Sequence, residues 1–264
     1  MQKVKAPPAV KAQRYFSEAW TPAPEQLATK AGTHRFVWDL RLPRPHAVHY
    51  DYSIAAVVEE GTPIVPRGAL VAPGDYVVLL NADGKELRSS LKIVADPRVA
   101  LDPAAAGEAM TFSTEVNAAL ERDFVAYGQL QSVDTQIAAA EKQLDARSDK
   151  QAAVAAIAAF KTASAPLRSG KGETSEDLGA IDEVLSSIAT EIEGSDRAPT
   201  KPQLDLLAAA NERLGRADDR WTRVKDKELA AVNAALKAAG IAAITIPAAD
   251  QIKLGSEPDS VDLP

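Results

Sequence analysis

The chain contains no cysteine, which removes disulfides, thiolate metal sites and cysteine nucleophiles together. Only three histidines are present, His34, His46 and His49, so material for metal ligation or acid–base chemistry is scarce. No run approaches the roughly 18 apolar residues of a membrane-spanning helix. Met1 to Val10 holds lysines and prolines but no continuous apolar core before a small-residue cleavage site. No export signal is therefore visible, and the chain as written is expected to stay where it is made. Positive charge is deficient in the second part: residues 99–264 carry 17 Lys/Arg against 27 Asp/Glu, a net of −10, whereas residues 1–98 carry 13 and 10, a net of +3. A strongly negative half is a poor match for a phosphate backbone, so nucleic acid is not an expected partner. What is present is an ordinary globular composition, 46% hydrophobic and 25% charged over 264 residues, enough for one large or two modest domains with real cores.

Proline divides the chain. Eleven of the 17 prolines lie at or before Pro103; none then occurs until Pro166, and none between Pro202 and Pro247. Because proline breaks helix interiors, the two gaps are where long helices can run. Before Pro103 the apolar period is two. In His34 to Arg41, Phe36, Trp38 and Leu40 alternate with Arg35, Asp39 and Arg41, the pattern of a half-buried strand with Trp38 in the core. A second strand candidate passes through Tyr50, Tyr52, Ile54, Val57 and Val58. Pro73-Gly74 opens a third, Tyr76 to Leu80; Asn81-Ala82-Asp83-Gly84 supplies turn chemistry, and Leu87, Leu91 and Ile93 return. That is a hairpin, and the whole reads as a small antiparallel sandwich.

The sheet pattern stops at Asp96-Pro97-Arg98, and Asp102-Pro103 offers an N-cap carboxylate followed by proline at the first helical position. Val116, Leu120, Phe124, Tyr127, Leu130, Val133, Ile137 and Leu144 then form one apolar stripe on a long helix. An alanine-rich helix is expected over Lys150 to Ala163, with a flexible loop at Ser169 to Gly172. Thr174 to Asp177 caps a third helix striped by Leu178, Ile181, Leu185, Ile188 and Ile192. Thr200 and Gln203 fit a capping box opening a last helix with Leu207, Leu214, Trp221, Val224, Leu229, Val232 and Leu236 on one face and Gly240 at its end. Two long helices flanking two short ones predict an antiparallel bundle.

Chemistry-bearing residues are few. Asp39 and Arg41 share a strand face, and a local ion pair or turn-holding hydrogen bonds account for them. His46 and His49, near Asp51, have metal-compatible spacing without a third ligand motif. Glu59-Glu60 and Asp218-Asp219 are neighbours in sequence and form no cleft of the kind glycosidase carboxylates flank. Gly170-Lys171-Gly172 lacks the spacing and preceding strand of a phosphate loop. No metal, cofactor or catalytic constellation is read from these residues.

Four segments in this order, Gly32 to Arg41 (GTHRFVWDLR), Ala72 to Leu80 (APGDYVVLL), Ala95 to Val99 (ADPRV) and Ser195 to Thr200 (SDRAPT), together resemble the C-terminal region of sortilin-like, BNR-repeat propeller proteins often described as glycosyl hydrolases. The stretch Trp221 to Leu236 is similar to the tail of that family. The resemblance implies an immunoglobulin-like module bearing the signature residues Phe36, Trp38, Asp39, Arg41, Pro73, Gly74, Tyr76, Asp96, Pro97 and Arg98, followed by a helical tail bearing Trp221. The expected fold is α+β: an irregular segment 1–31, an immunoglobulin-like β module 32–98, a helical bundle 99–246 and an irregular tail 247–264. No propeller and no Asp-box occurs in the chain. The resemblance therefore implies a non-catalytic accessory module that caps or positions a β-propeller in the same or another chain. The alternative is a part of a glycoside hydrolase whose catalysis lies elsewhere. A fragment of a secreted member would be periplasmic or extracellular. Family members place a strand before the position of Arg14 to Ser17. Its loss here predicts an open sheet edge near residues 11–17, with Tyr15 and Phe16 as interface residues for a partner or for self-association.

Overall fold

The computed structural model describes residues 32–52, 64–99, 102–145, 147–148, 150–192 and 197–253. Tyr15, Phe16, Ile54, Val57, Val58, Glu59-Glu60 and Ser195-Asp196 lie outside them. Asp102 accepts the Ala104 N–H at 2.9 Å, and Pro103 follows as the first residue of α1, Pro103–Asp145. These 43 residues span about 65 Å. Phe112, Val116, Leu120, Phe124, Leu130, Val133, Ile137 and Leu144 make a stripe along its whole length with at most 2% exposure.

Helix α2, Gln151–Ser164, buries Ala153, Ile157 and Phe160, and a short 3-10 turn at Ala165–Leu167 carries Pro166. Asp177 caps α3, Leu178–Ile192, by accepting the Ala180 N–H. Helix α4, Lys201–Arg223, starts at Thr200, whose N–H donates to Gln203 Oε1 at 2.8 Å. It continues through a π-helical segment, Val224–Leu229, into α5, Ala230–Ala238. Gly240 (φ +66) turns the chain, and the Ile241 N–H reaches back to Leu236 O at 2.9 Å, the closing bond of a Schellman motif. α1 packs on α3, α4 and α2, while α2 also packs on the π segment and α5, so apolar stripes from all the helices share one core.

After Gly240 the chain runs extended over the helices and is held by side-chain amides. Asn233 brackets Ile244, donating to its carbonyl at 3.0 Å and accepting its N–H at 2.8 Å. Gln136 does the same for Thr245, at 2.7 and 2.9 Å. Ile241, Ile244 and Ile252 are buried. Gly128 of α1 lies under Ile252: a Cβ there would stand 2.2 Å from Ile252 Cγ2.

The expected immunoglobulin-like sandwich is not formed. Among the described residues the sheet content is the hairpin β3–β4, Gly74–Ala82 and Lys85–Ile93, and a two-residue pair, β1 Asp51–Tyr52 with β2 Ile64–Val65; the protein is mostly helical. Residues 34–40 are not a strand. Phe36 and Leu40 are 40% and 37% exposed, Trp38 is only half-buried, and Leu40 takes a positive φ of 62°, which breaks the alternation. The physical reason is a missing second layer. Among the described residues of 32–99 the buried apolar side chains are Pro45, Ala47, Val48, Pro66, Ala69 and Val71, and Ala47 belongs to the helical core. A sandwich needs two inner faces of interdigitating side chains, and these short residues cannot supply them.

Candidate functional site

Three features outside the helical core carry polar or exposed apolar groups. The first is the hairpin. Asp83 (φ 50) and Gly84 (φ 75) form its two-residue loop, with the positive φ at both positions that a type I′ turn requires. The register pairs Tyr76 with Leu91, Val78 with Ser89 and Leu80 with Leu87. Opposed residues share a face, so one face carries Tyr76, Val78, Leu80, Leu87 and Leu91 together with Ser89 and, at the tip, Ala82 and Lys85. At the base, Tyr76 and Leu91 are half-buried, and the Tyr76 hydroxyl donates to Ala72 O at 2.6 Å. Beyond the base, Val78, Leu80 and Leu87 are 48%, 44% and 58% exposed. Among the described residues neither outer edge of the ribbon has a neighbouring strand.

The signature residues gather at the foot of this ribbon. Trp38 Nε1 donates to Arg41 O at 2.7 Å, and its ring meets Tyr76 edge-on, centroids 6.5 Å apart. Asp39 Oδ1 accepts the Arg41 N–H at 3.1 Å, holding the turn, and Arg41 Nη1 donates to Gly68 O at 2.9 Å. Pro73 and Gly74 lead into β3. Where the chain leaves β4, Asp96 accepts the Arg98 N–H and its guanidinium. The Arg98 side chain, and then its N–H, hold the Asp96 carboxyl below its usual range. Both side chains are open to solvent, so this pair shapes the turn after Pro97 rather than storing stability. Trp221 stands apart, buried in α4 with Nε1 donated to Gln129 Oε1 at 3.0 Å.

The second feature is a carboxylate clasp on the strap Pro45–Tyr50. Glu121 of α1 accepts the His46 N–H at 2.7 Å, and both its oxygens lie 3.0 Å from His46 Nδ1. Asp182 of α3 accepts the N–H groups of Val48 and His49, at 2.8 and 3.3 Å, with His49 Nδ1 3.8 Å away. Each histidine thus faces a carboxylate the sequence places far away, a pairing that spacing along the chain does not reveal. No group of three or more His, Cys, Asp or Glu able to hold a metal occurs among the described residues. Asp182 is fully buried, and burial raises its carboxyl, opposed by the strap N–H groups and His49. On α1, Asp123 is fully buried and neither of its oxygens has a hydrogen-bond partner. Burial pushes its carboxyl well above the usual range; the charges of Asp182, Asp218 and Asp177 add to the shift and Arg213 opposes it.

The third feature is a cleft of about 100 Å³, partly open to solvent, between Arg67–Pro73, the first half of α1 and the end of α3. Its walls are tied together by Asn117, whose amide donates to Arg67 O at 3.4 Å, and by Met110, whose sulfur accepts the Ala72 N–H at 3.3 Å. Asp218, one of the acidic neighbours noted in the sequence, pairs with Arg122 at 2.6 Å and is not among the residues that line this cleft. Comparison with family models, curated proteins and solved structures returns no match. No helix among the described residues is long and apolar enough to cross a membrane.

Proposed function

We propose that the chain is a non-catalytic interaction module that docks a β-propeller domain, in the same or another chain, through the β3–β4 hairpin. The observation that carries this reading is the apolar face of Tyr76, Val78, Leu80, Leu87 and Leu91, of which the outer three are solvent-exposed. A lone two-stranded ribbon is marginal in water, and exposed apolar side chains beside unpaired edge amides are the features to which a partner strand adds. The propeller as occupant rests on the resemblance of Gly32 to Arg41 and Ala95 to Val99 to the sortilin-like BNR-repeat proteins.

The test is sedimentation velocity of the chain alone over a concentration series and mixed with a recombinant propeller domain of that family, repeated with Val78→Lys/Leu80→Lys. The expected result is a complex with the propeller that the double variant abolishes, accompanied by slowed amide exchange over residues 77–89. Self-association without propeller binding would make the occupant a second copy. No association of either kind would overturn the reading, and so would turnover of an aryl glycoside abolished by one Asp or Glu substitution.

A further inference from the structure

We propose that β3 pairs antiparallel with β3 of a second copy of this chain, in a register centred on Val78, and so joins two ribbons into one four-stranded sheet. The register of the hairpin decides which backbone groups are free to do this. Asp83-Gly84 is a two-residue loop, so Ala82 and Lys85 are the first and last residues of the turn and close it with a hydrogen bond. Hydrogen-bonded and non-hydrogen-bonded pairs then alternate down the ladder. Gly74, Tyr76, Val78, Leu80 and Ala82 therefore turn their N–H and C=O groups inward to β4, and Asp75, Val77, Leu79 and Asn81 turn theirs outward. Among the described residues no strand lies beside that outer edge and no hydrogen bond is made to its outward groups. On β4 the outward set is Glu86, Arg88, Ser90 and Lys92, and charge at this density is how sheet edges are kept apart. From Tyr76 to Ala82, β3 has neither charge nor proline, so nothing blunts its edge.

The occupant follows from self-complementarity. With Val78 on a two-fold axis, Val77 stands opposite Leu79 of the second copy, Tyr76 opposite Leu80, and Asp75 opposite Asn81, so apolar meets apolar and no like charges are opposed. The same register sets the outward groups of Val77 against those of Leu79, and of Asp75 against those of Asn81, as hydrogen-bonded pairs. On one side of the sheet Val77 and Leu79, 63% and 51% exposed in the single chain, cover each other across the axis. On the other side the apolar faces of the two ribbons run together. A two-stranded ribbon is marginal in water, whereas three or more strands with an apolar face are stable, and the pairing supplies them in one closed, isologous contact. The antiparallel sense places the foot of each ribbon beside the tip of the other, so the two helical cores lie at opposite ends of the sheet. The charged β4 edges then end it at four strands. This inference uses the edge of the ribbon and does not rest on a propeller as the occupant of its apolar face.

The chain has no cysteine, so a single introduced thiol reports the register. The experiment compares Val78→Cys with Leu80→Cys in the full chain under a mild oxidant, beside sedimentation velocity of the unsubstituted chain across the micromolar range. Two thiols at position 78 would have Cα atoms about 4.5 Å apart across the axis, whereas two at position 80 would lie about 14 Å apart along the strands, beyond the roughly 7 Å limit of a disulfide. The expected result is a concentration-dependent dimer, with cross-linking of Val78→Cys at least about tenfold faster than that of Leu80→Cys. Val77→Pro, which removes one outward N–H and no bond of the β3–β4 ladder, should abolish the dimer. A chain that stays monomeric throughout the range, or equal cross-linking of the two cysteine variants, overturns the proposal. Slow amide exchange at Val77 and Leu79 in a monomer would overturn it as well, by showing that the chain covers its own edge. The cysteine comparison uses two exposed positions, so it decides the matter even where Val77→Pro fails to fold. Pairing is read on the chain alone and propeller docking on the mixture, so either can fail while the other stands.

Discussion

At the residue scale, Asp123 is the least comfortable side chain in the protein. Both its oxygens are buried without a partner, and its carboxyl is raised well above the usual range, first by burial. The folded state therefore holds the proton to higher pH than the unfolded chain does. For a group raised in this way, its favourable contribution is complete below the unfolded value, near 3.8, and is lost as pH rises through the folded value. Asp123→Ala is accordingly expected to stabilise the fold by about 1–3 kcal/mol at neutral pH, the cost of an unsatisfied buried polar group. Urea unfolding of both proteins between pH 4 and 8 should show the gap widening with pH; a gap constant across that range would mean the carboxyl titrates normally. Trp38 is the opposite case, half-exposed with one hydrogen bond to Arg41 O. Trp38→Ala should cost about 1–2 kcal/mol, from that bond and partial burial. A buried sandwich tryptophan would cost about 3–5 kcal/mol, so the same urea measurement separates the two environments. His46 and His49 show why residue roles escape a linear reading: the carboxylate that clasps His46 is 75 residues away and the one that clasps His49 is 133.

At the element scale, the hairpin was readable because Asn81 to Gly84 supplies turn chemistry and Tyr76 to Leu80 is a short apolar run; the register, with Asp83-Gly84 as a two-residue loop, comes from the structure. The hairpin's solvation was not readable, because alternation specifies two faces without saying what covers them. Val78→Lys/Leu80→Lys should leave the stability of the isolated chain within about 0.5 kcal/mol, as for other exposed positions. A loss of several kcal/mol in thermal unfolding would place those residues in a core. The last helix carries a visible irregularity. The apolar stripe steps from Val224 to Leu229, five residues, and the chain accommodates both buried side chains by widening into a π segment across that interval. The sequence reading passes through this as one regular helix. The extended segment after Gly240 depends on Gly128, whose missing side chain makes room for Ile252. Gly128→Ala should destabilise by about 1–3 kcal/mol, the cost of overpacking, and speed proteolysis within residues 244–253. Adding Ile252→Ala should restore most of the loss, and an unchanged cleavage pattern would show that the amides of Asn233, Gln136 and Gln129 hold the segment without the Ile252 contact.

At the scale of the whole molecule, one helical core holds everything else in place. Leu185 of α3 is fully buried where that helix packs on α1 and α4. Leu185→Ala should cost about 2–5 kcal/mol and lower the midpoint for the strap Pro45–Tyr50 as well as for the helices, read by hydrogen exchange on both. Independent behaviour of the strap would contradict the sharing of Ala47 with the helical core.

What the sequence determined by itself is the local part of this protein. Helix starts at Asp102 and Thr200, the stop at Gly240, the stripe of α1 and the turn of the hairpin all follow from interactions within a few residues, where sequence distance and spatial distance agree. Tertiary structure alone decided the rest: that Phe36, Trp38 and Leu40 do not form a strand, that the ribbon stands without a second layer, that His46 and His49 meet Glu121 and Asp182, and that three arginines converge on one cleft. Period-two alternation records only that a residue has an apolar neighbour on one side. Whether that side is filled depends on segments far away in the chain, and here the apolar surface that Ala47 and Tyr50 meet is the helical core, not a facing sheet.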